Sequence, residues 1–80
     1  MSVTVYSKPS CVACTATYRA LKNNGIEFET VDVTVDDSAL EFTRSLGYMA
    51  APVIVVTDND GNVTEHWSQF RGEKIAELAA

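Results

Sequence analysis

Two cysteines stand three positions apart in the stretch Tyr6-Ser7-Lys8-Pro9-Ser10-Cys11-Val12-Ala13-Cys14, and the 80-residue chain has no others. On the first turn of a helix that spacing puts both sulfurs on one face, within the Cα separation a disulfide requires. A bridge there closes a very short loop and constrains the unfolded chain little, so it is a poor structural staple. A pair that opens and closes is the better use. Cys11, at a strand-to-helix junction, meets unpaired backbone N–H groups and the positive end of the helix dipole, which favour a thiolate and make it the nucleophile. Cys14, one turn further on, is the shielded thiol that resolves a mixed disulfide. Half a zinc site would need two more ligands, and the one histidine, His66, falls on a distant strand. Two packed core cysteines fit poorly with a start just after a Pro-containing turn.

The elements that must position this pair follow from the pattern of the chain. Ser2 to Tyr6 is a β-branched strand stopped by Lys8-Pro9-Ser10. From Val12 to about Asn23 a helix runs with Cys14, Tyr18 and Leu21 on its apolar stripe, and Asn24-Gly25 ends it. Alternation from Ile26 to Thr34 predicts a second strand. A second helix starts at a Thr34 capping box or at Ser38, buries Ala39, Phe42 and Leu46, and stops at Gly47 in a left-handed conformation. Val53 to Thr57 reads as a strand covered on both faces, and Asp60-Gly61 turns the chain into a strand over Val63 to Trp67. Glu73 to Ala79, with Ile75 and Leu78 on one side, is a closing helix. The order β-α-β-α-β-β-α implies an α/β fold: a four-stranded mixed sheet flanked by three helices, its first βαβ unit parallel and its hairpin antiparallel.

Composition narrows the setting. Eighty residues at 46% hydrophobic content suit one domain spanning 1–80. A net charge of −5 with scattered basic residues speaks against nucleic-acid binding. The longest apolar run, Val53 to Val56, is far short of a membrane helix, and no secretory h-region opens the chain, so the expected location is the cytoplasm. Asn62-Val63-Thr64 matches a glycosylation acceptor that a cytoplasmic chain never presents to that machinery.

Three segments, VTVYSKPSCVACTATYRAL (Val3 to Leu21), GYMAAPVIVV (Gly47 to Val56) and HWSQFRGEKI (His66 to Ile75), together resemble the NrdH-type redoxins. These are glutaredoxin-like hydrogen donors of ribonucleotide reductase within the thioredoxin-fold superfamily. The resemblance implies a dithiol–disulfide oxidoreductase with Cys11 and Cys14 catalytic, no resident cofactor or metal, and a monomeric state. It implies ribonucleotide reductase as the disulfide substrate and thioredoxin reductase, a flavoprotein, as the source of electrons. It also implies that Pro52 follows a cis bond and faces the cysteines, leaving the Ala51 backbone to pair with an extended substrate. Val12, Ala13, Lys8 and Trp67 join Ala51 and Pro52 as docking residues on this reading, although Lys8 is equally a solvated turn lysine and Trp67 equally a core aromatic. Ser68, Phe70 and Arg71 form a self-organising loop before the last helix.

The chain departs from the group's usual C-[MV]-Q-C and W-S-G-F-R-P-D patterns at Ala13, Gln69, Gly72 and Glu73. Gln69 stands where glycine is usual, although it disfavours positive φ, and Gly72 is freer than the usual proline. The Gly-Gly-x-x-Asp pattern by which ordinary glutaredoxins hold glutathione is missing, which favours a protein reductant. A glutathione-dependent glutaredoxin, a metal or iron–sulfur protein assembled from two chains, and an inert adaptor are the competing readings.

Overall fold

The computed structural model describes residues 1–80. Seven elements follow the expected order: β1 (Ser2–Ser7), α1 (Val12–Asn23), β2 (Glu29–Asp32), α2 (Asp37–Ser45), β3 (Val53–Thr57), β4 (Val63–Ser68) and α3 (Gly72–Ala79). The strands lie in the order β2-β1-β3-β4. β1 pairs parallel with β2 and antiparallel with β3, and β3 pairs antiparallel with β4. This is the four-stranded mixed sheet with three helices of the thioredoxin-like fold.

The core is built where β-branched strands meet the helices' apolar stripes. Val3, Val5, Ile54, Val56, Trp67, Leu21 and Ile75 form one buried cluster, with Tyr18, Phe28 and Leu78 packed on its margin. Val53 to Val56 is buried at every position, as a central strand with both faces covered must be. The buried stripe of α1 is Cys14, Thr17 and Leu21; Tyr18, expected there, is half-buried and stacks on Phe28 at 5.6 Å. Thr17 tolerates burial because its hydroxyl donates to the Ala13 carbonyl at 2.8 Å, satisfying the polar atom within the helix. The α1 terminus closes as its sequence predicts, with Gly25 at φ +69° and the Ile26 N–H donating to the Leu21 carbonyl.

Two expectations shift. The second strand is confined to Glu29–Asp32, because Ile26 and Phe28 pack on the core before pairing begins and Asp32 ends it: its Oδ1 accepts from both the Thr34 N–H and the Thr34 hydroxyl. The second helix is capped by neither Thr34 nor Ser38. Asp36 has the extended backbone of a cap, and its carboxylate accepts from the Ala39 N–H at 3.0 Å. With that start, Ala39 and Thr43 face inward, while Phe42 and Leu46 are only half-buried. Phe42 instead lies 5.5 Å from the Tyr6 ring. Gly47 follows at φ +94°, as a left-handed stop should.

Candidate active site

β1 delivers the chain to the site. After Ser7 the backbone turns through Lys8, Pro9 and Ser10, the last at φ +56°, and enters α1 with Cys11 as its N-cap. The cap is the sulfur itself: Cys11 Sγ accepts from the Cys14 N–H at 3.1 Å. A thiolate is the form of sulfur best suited to that bond, and the α1 dipole favours the same charge. The two cysteines are joined as a disulfide, their Cα atoms 5.2 Å apart. Their surroundings differ in the way two distinct roles require. Cys11 is half-buried beside Val12, which is 86% exposed, whereas Cys14 is only 2% exposed against the core.

The register of the sheet explains what lies opposite. Tyr6 pairs with Val53, so the residues just before Val53 sit beside the residues just after Tyr6, at the end of the sheet from which the chain leaves for Cys11. Those residues are Ala51 and Pro52, joined by a cis peptide bond. The Ala51 N–H and C=O carry no hydrogen bond within the chain, although the residue is half-buried. Pro52 is fully buried. Ser68 and Gln69 staple this loop from the β4 side. The Gln69 N–H donates to the Pro52 carbonyl at 2.8 Å, and the Ser68 hydroxyl donates to the carbonyls of Ala50 at 2.9 Å and Pro52 at 3.3 Å.

The remaining expected site residues separate. Lys8 is exposed, pairs with no carboxylate, and lines a cavity with Ala51. Ala13 is half-buried inside α1. Trp67 is a correction: at 3% exposure it belongs to the core cluster, because alternation along β4 turns it inward between His66 and Ser68, and it offers no face to a partner. Its indole N–H is buried without an acceptor. Phe70 is 45% exposed, and its ring closes over Gly72. Arg71 makes a surface ion pair with Glu73 at 2.9 Å; the Glu73 carboxyl is held below its ordinary range first by its own backbone N–H and then by the Arg71 side chain.

Two features escaped the sequence. Gln69 does take φ +69°, the left-handed conformation that glycine would adopt without cost. Arg44, Tyr48 and Met49 also stand at the cavity shared by Lys8 and Ala51. Nothing in their spacing pointed there, since only the packing of α2 beside the Pro52 loop assembles them. His66 is an exposed strand residue whose Nδ1 lies 2.8 Å from the Tyr48 hydroxyl. Tyr6, on the cavity's inner side, has its phenol pushed above its ordinary value by burial and then by the charge of Asp36. No helix is long and apolar enough to cross a membrane.

Comparison with known proteins adds three findings. A family model described as Glutaredoxin matches residues 3–60. The chain is 37% identical over 78 residues to the glutaredoxin-like protein NrdH of Salmonella typhimurium, covering 98% of this chain and 89% of that protein. Among solved structures it is similar to the glutaredoxin-like NrdH-redoxin of Escherichia coli, reported with a thioredoxin-like activity profile. That match has a TM-score of 0.85 at 36% identity, over 98% of this chain and 95% of the other.

Proposed function

The chain belongs to the glutaredoxin family and is a thiol–disulfide oxidoreductase built on Cys11 and Cys14, and we propose that it carries electrons from a thioredoxin-reductase-like flavoprotein to ribonucleotide reductase. The observation that carries this reading is the asymmetry of the pair: one partly exposed cysteine at a helix start and one only 2% exposed a turn below.

In the reduced protein the Cys11 thiolate attacks one sulfur of the partner's disulfide, forming an intermolecular S–S bond and releasing the partner's other sulfur as a thiolate. Cys14 then loses its proton and attacks Cys11 Sγ. The Cys11–Cys14 bond forms, the intermolecular bond breaks, and the partner leaves as a dithiol after taking up two protons. Two electrons have moved from the pair to the partner, one of the partner's protons coming from Cys14 and one from solvent; the flavoprotein returns two electrons, and one proton restores the Cys14 thiol beside the Cys11 thiolate. Ala51 holds the partner as an added strand through its unpaired N–H and C=O, and Pro52 backs it. Val12 and Ala13 form the rim on the α1 side, and Lys8 is the nearby cation. Ser68 and Gln69 keep the Pro52 loop in place, and Phe70 and Arg71 carry the chain on into α3.

The choice of a protein reductant draws support from the missing Gly-Gly-x-x-Asp pattern and from the thioredoxin-like activity profile named for the Escherichia coli relative. The protein acts as one domain and as a monomer, in the reducing cytoplasm where such a dithiol is kept charged. A reductant comparison tests the reading. With NADPH and thioredoxin reductase the protein should sustain disulfide reduction and ribonucleotide reductase turnover, and Cys14→Ser should trap the partner on Cys11. Turnover with glutathione and none with thioredoxin reductase would replace this reading with a glutathione-dependent one.

A further inference from the structure

The sulfur cap on the Cys14 N–H is not the only side-chain bond to the C-x-x-C segment. Two threonine hydroxyls of α1 reach back four residues to its carbonyls: Thr15 donates to Cys11 C=O at 3.2 Å and Thr17 donates to Ala13 C=O at 2.8 Å. Their settings differ. Thr15 is exposed, whereas Thr17 is 0% exposed and shares the buried stripe of the helix with Cys14.

Stability alone does not call for a hydroxyl at position 17. Valine has the same shape, and in a helix the Ala13 carbonyl already receives the N–H of residue 17, so removing the hydroxyl leaves no buried polar group unpaired. A threonine bonded back to an i−4 carbonyl also tends to bend a helix rather than support it. What the hydroxyl adds is a second tie between the buried side of α1 and a residue lying between the two cysteines.

That tie counts most in the mixed disulfide. Cys11 Sγ is then neutral and bonded to the partner, a weaker acceptor for the Cys14 N–H than the thiolate. Helix starts fray because their first N–H groups lack intrahelical partners, and Cys14 lies within that first turn. Its sulfur displaces the partner only from a near-attack position, and a turn that opens spends less time there. The Thr15 bond competes with water and holds the turn weakly. The Thr17 bond is out of water's reach and keeps its strength.

We propose that Thr17 is a positioning residue for the resolving step: its buried hydroxyl holds Ala13, and through it Cys14, in line with Cys11 while the partner is covalently attached. The inference rests on the reading of the pair as an attacking Cys11 and a resolving Cys14.

An aromatic disulfide, dithiobis(nitrobenzoate), separates the two steps. The Cys11 thiolate displaces one thionitrobenzoate anion and forms the mixed disulfide; Cys14 then loses its proton to solvent, closes the Cys11–Cys14 bond and displaces the second anion. Stopped-flow absorbance gives a first phase whose rate rises with reagent concentration and a second whose rate does not. Thr17→Val should slow the second phase about three- to tenfold, the worth of one net hydrogen bond, and leave the first within about twofold. Thr17→Ser should restore it, and Thr15→Val should leave both phases within about twofold. Across pH the second phase of Thr17→Val should keep its midpoint while its plateau falls, because placement changes and acidity does not. An unchanged second phase in Thr17→Val, an equal loss in Thr17→Ser, both phases slowed together, or a shifted midpoint at an unchanged plateau would each overturn the proposal. If the valine variant does not fold, Thr17→Ala read against Thr17→Ser gives the same decision. Release of one thionitrobenzoate and no second from the wild-type protein would remove the two-step reading itself.

Discussion

Replacing Gln69 by glycine should stabilise the protein. Gln69 holds φ +69° with an exposed side chain that makes no hydrogen bond, while its N–H donates to the Pro52 carbonyl at 2.8 Å. An L-residue in the left-handed region gives up about 1–2 kcal/mol that glycine does not. Against this, glycine enlarges the conformational freedom of the unfolded chain, at a cost of about 0.5–1 kcal/mol. Since the backbone hydrogen bond survives the change, the difference is a gain centred on about 0.8 kcal/mol, within a range of roughly 0–1.5 kcal/mol. For a domain of this size that raises Tm by roughly 2–8 °C. Urea unfolding followed by far-UV circular dichroism should show a higher midpoint with an unchanged slope. Gln69→Ala is the control: it keeps the left-handed penalty and should lie within about 0.5 kcal/mol of wild type. A lowered midpoint for Gln69→Gly, or an equal gain for Gln69→Ala, would refute the assignment of strain to this residue.

Two further outcomes follow from the core and from the hairpin turn. Trp67→Ala should cost about 3–5 kcal/mol by leaving a cavity in the central cluster, whereas Trp67→Phe should cost far less, because the indole N–H it removes is buried with no acceptor; equal losses in denaturant unfolding would contradict that account. The Asp58 carboxyl is held below its ordinary value, first by the Asn62 backbone N–H and further by that of Asp60. A depressed folded-state pKa adds stability above the unfolded value near 3.8 and loses it as pH falls through the folded value. The stability difference between wild type and Asp58→Ala should therefore be larger at pH 6 than at pH 2, and a pH-independent difference would contradict the linkage.

Much of this was legible in the residues because the governing signals are local. Alternation and β-branching placed the strands, Gly25, Gly47 and Gly61 all took the positive φ expected of turn and stop positions, and C-x-x-C after a strand placed the reactive pair. What failed was decided by competition between neighbours. Asp36 outcompeted Thr34 and Ser38 for the α2 cap, and the packing of α2 turned Thr43 inward while Phe42 stayed half-buried. Trp67 could be assigned to core or surface only once β4 had a register against Ile54. Lys8 and Arg44, 36 positions apart in sequence, share a cavity through tertiary packing that no periodicity encodes.

The sulfur that caps α1 is also the atom that must bond to a partner. The helix is therefore anchored by a ligand it shares with its substrates: whenever Cys11 Sγ enters a mixed disulfide its charge is neutralised, and the Cys14 N–H loses the strongest form of its acceptor. That amide belongs to the residue whose own sulfur must next move toward Cys11. In the Cys11–Cys14 disulfide the same amide still reaches the sulfur at 3.1 Å, so the first turn of α1 keeps its cap when that sulfur carries no charge, and one atom serves the helix and the chemistry in turn.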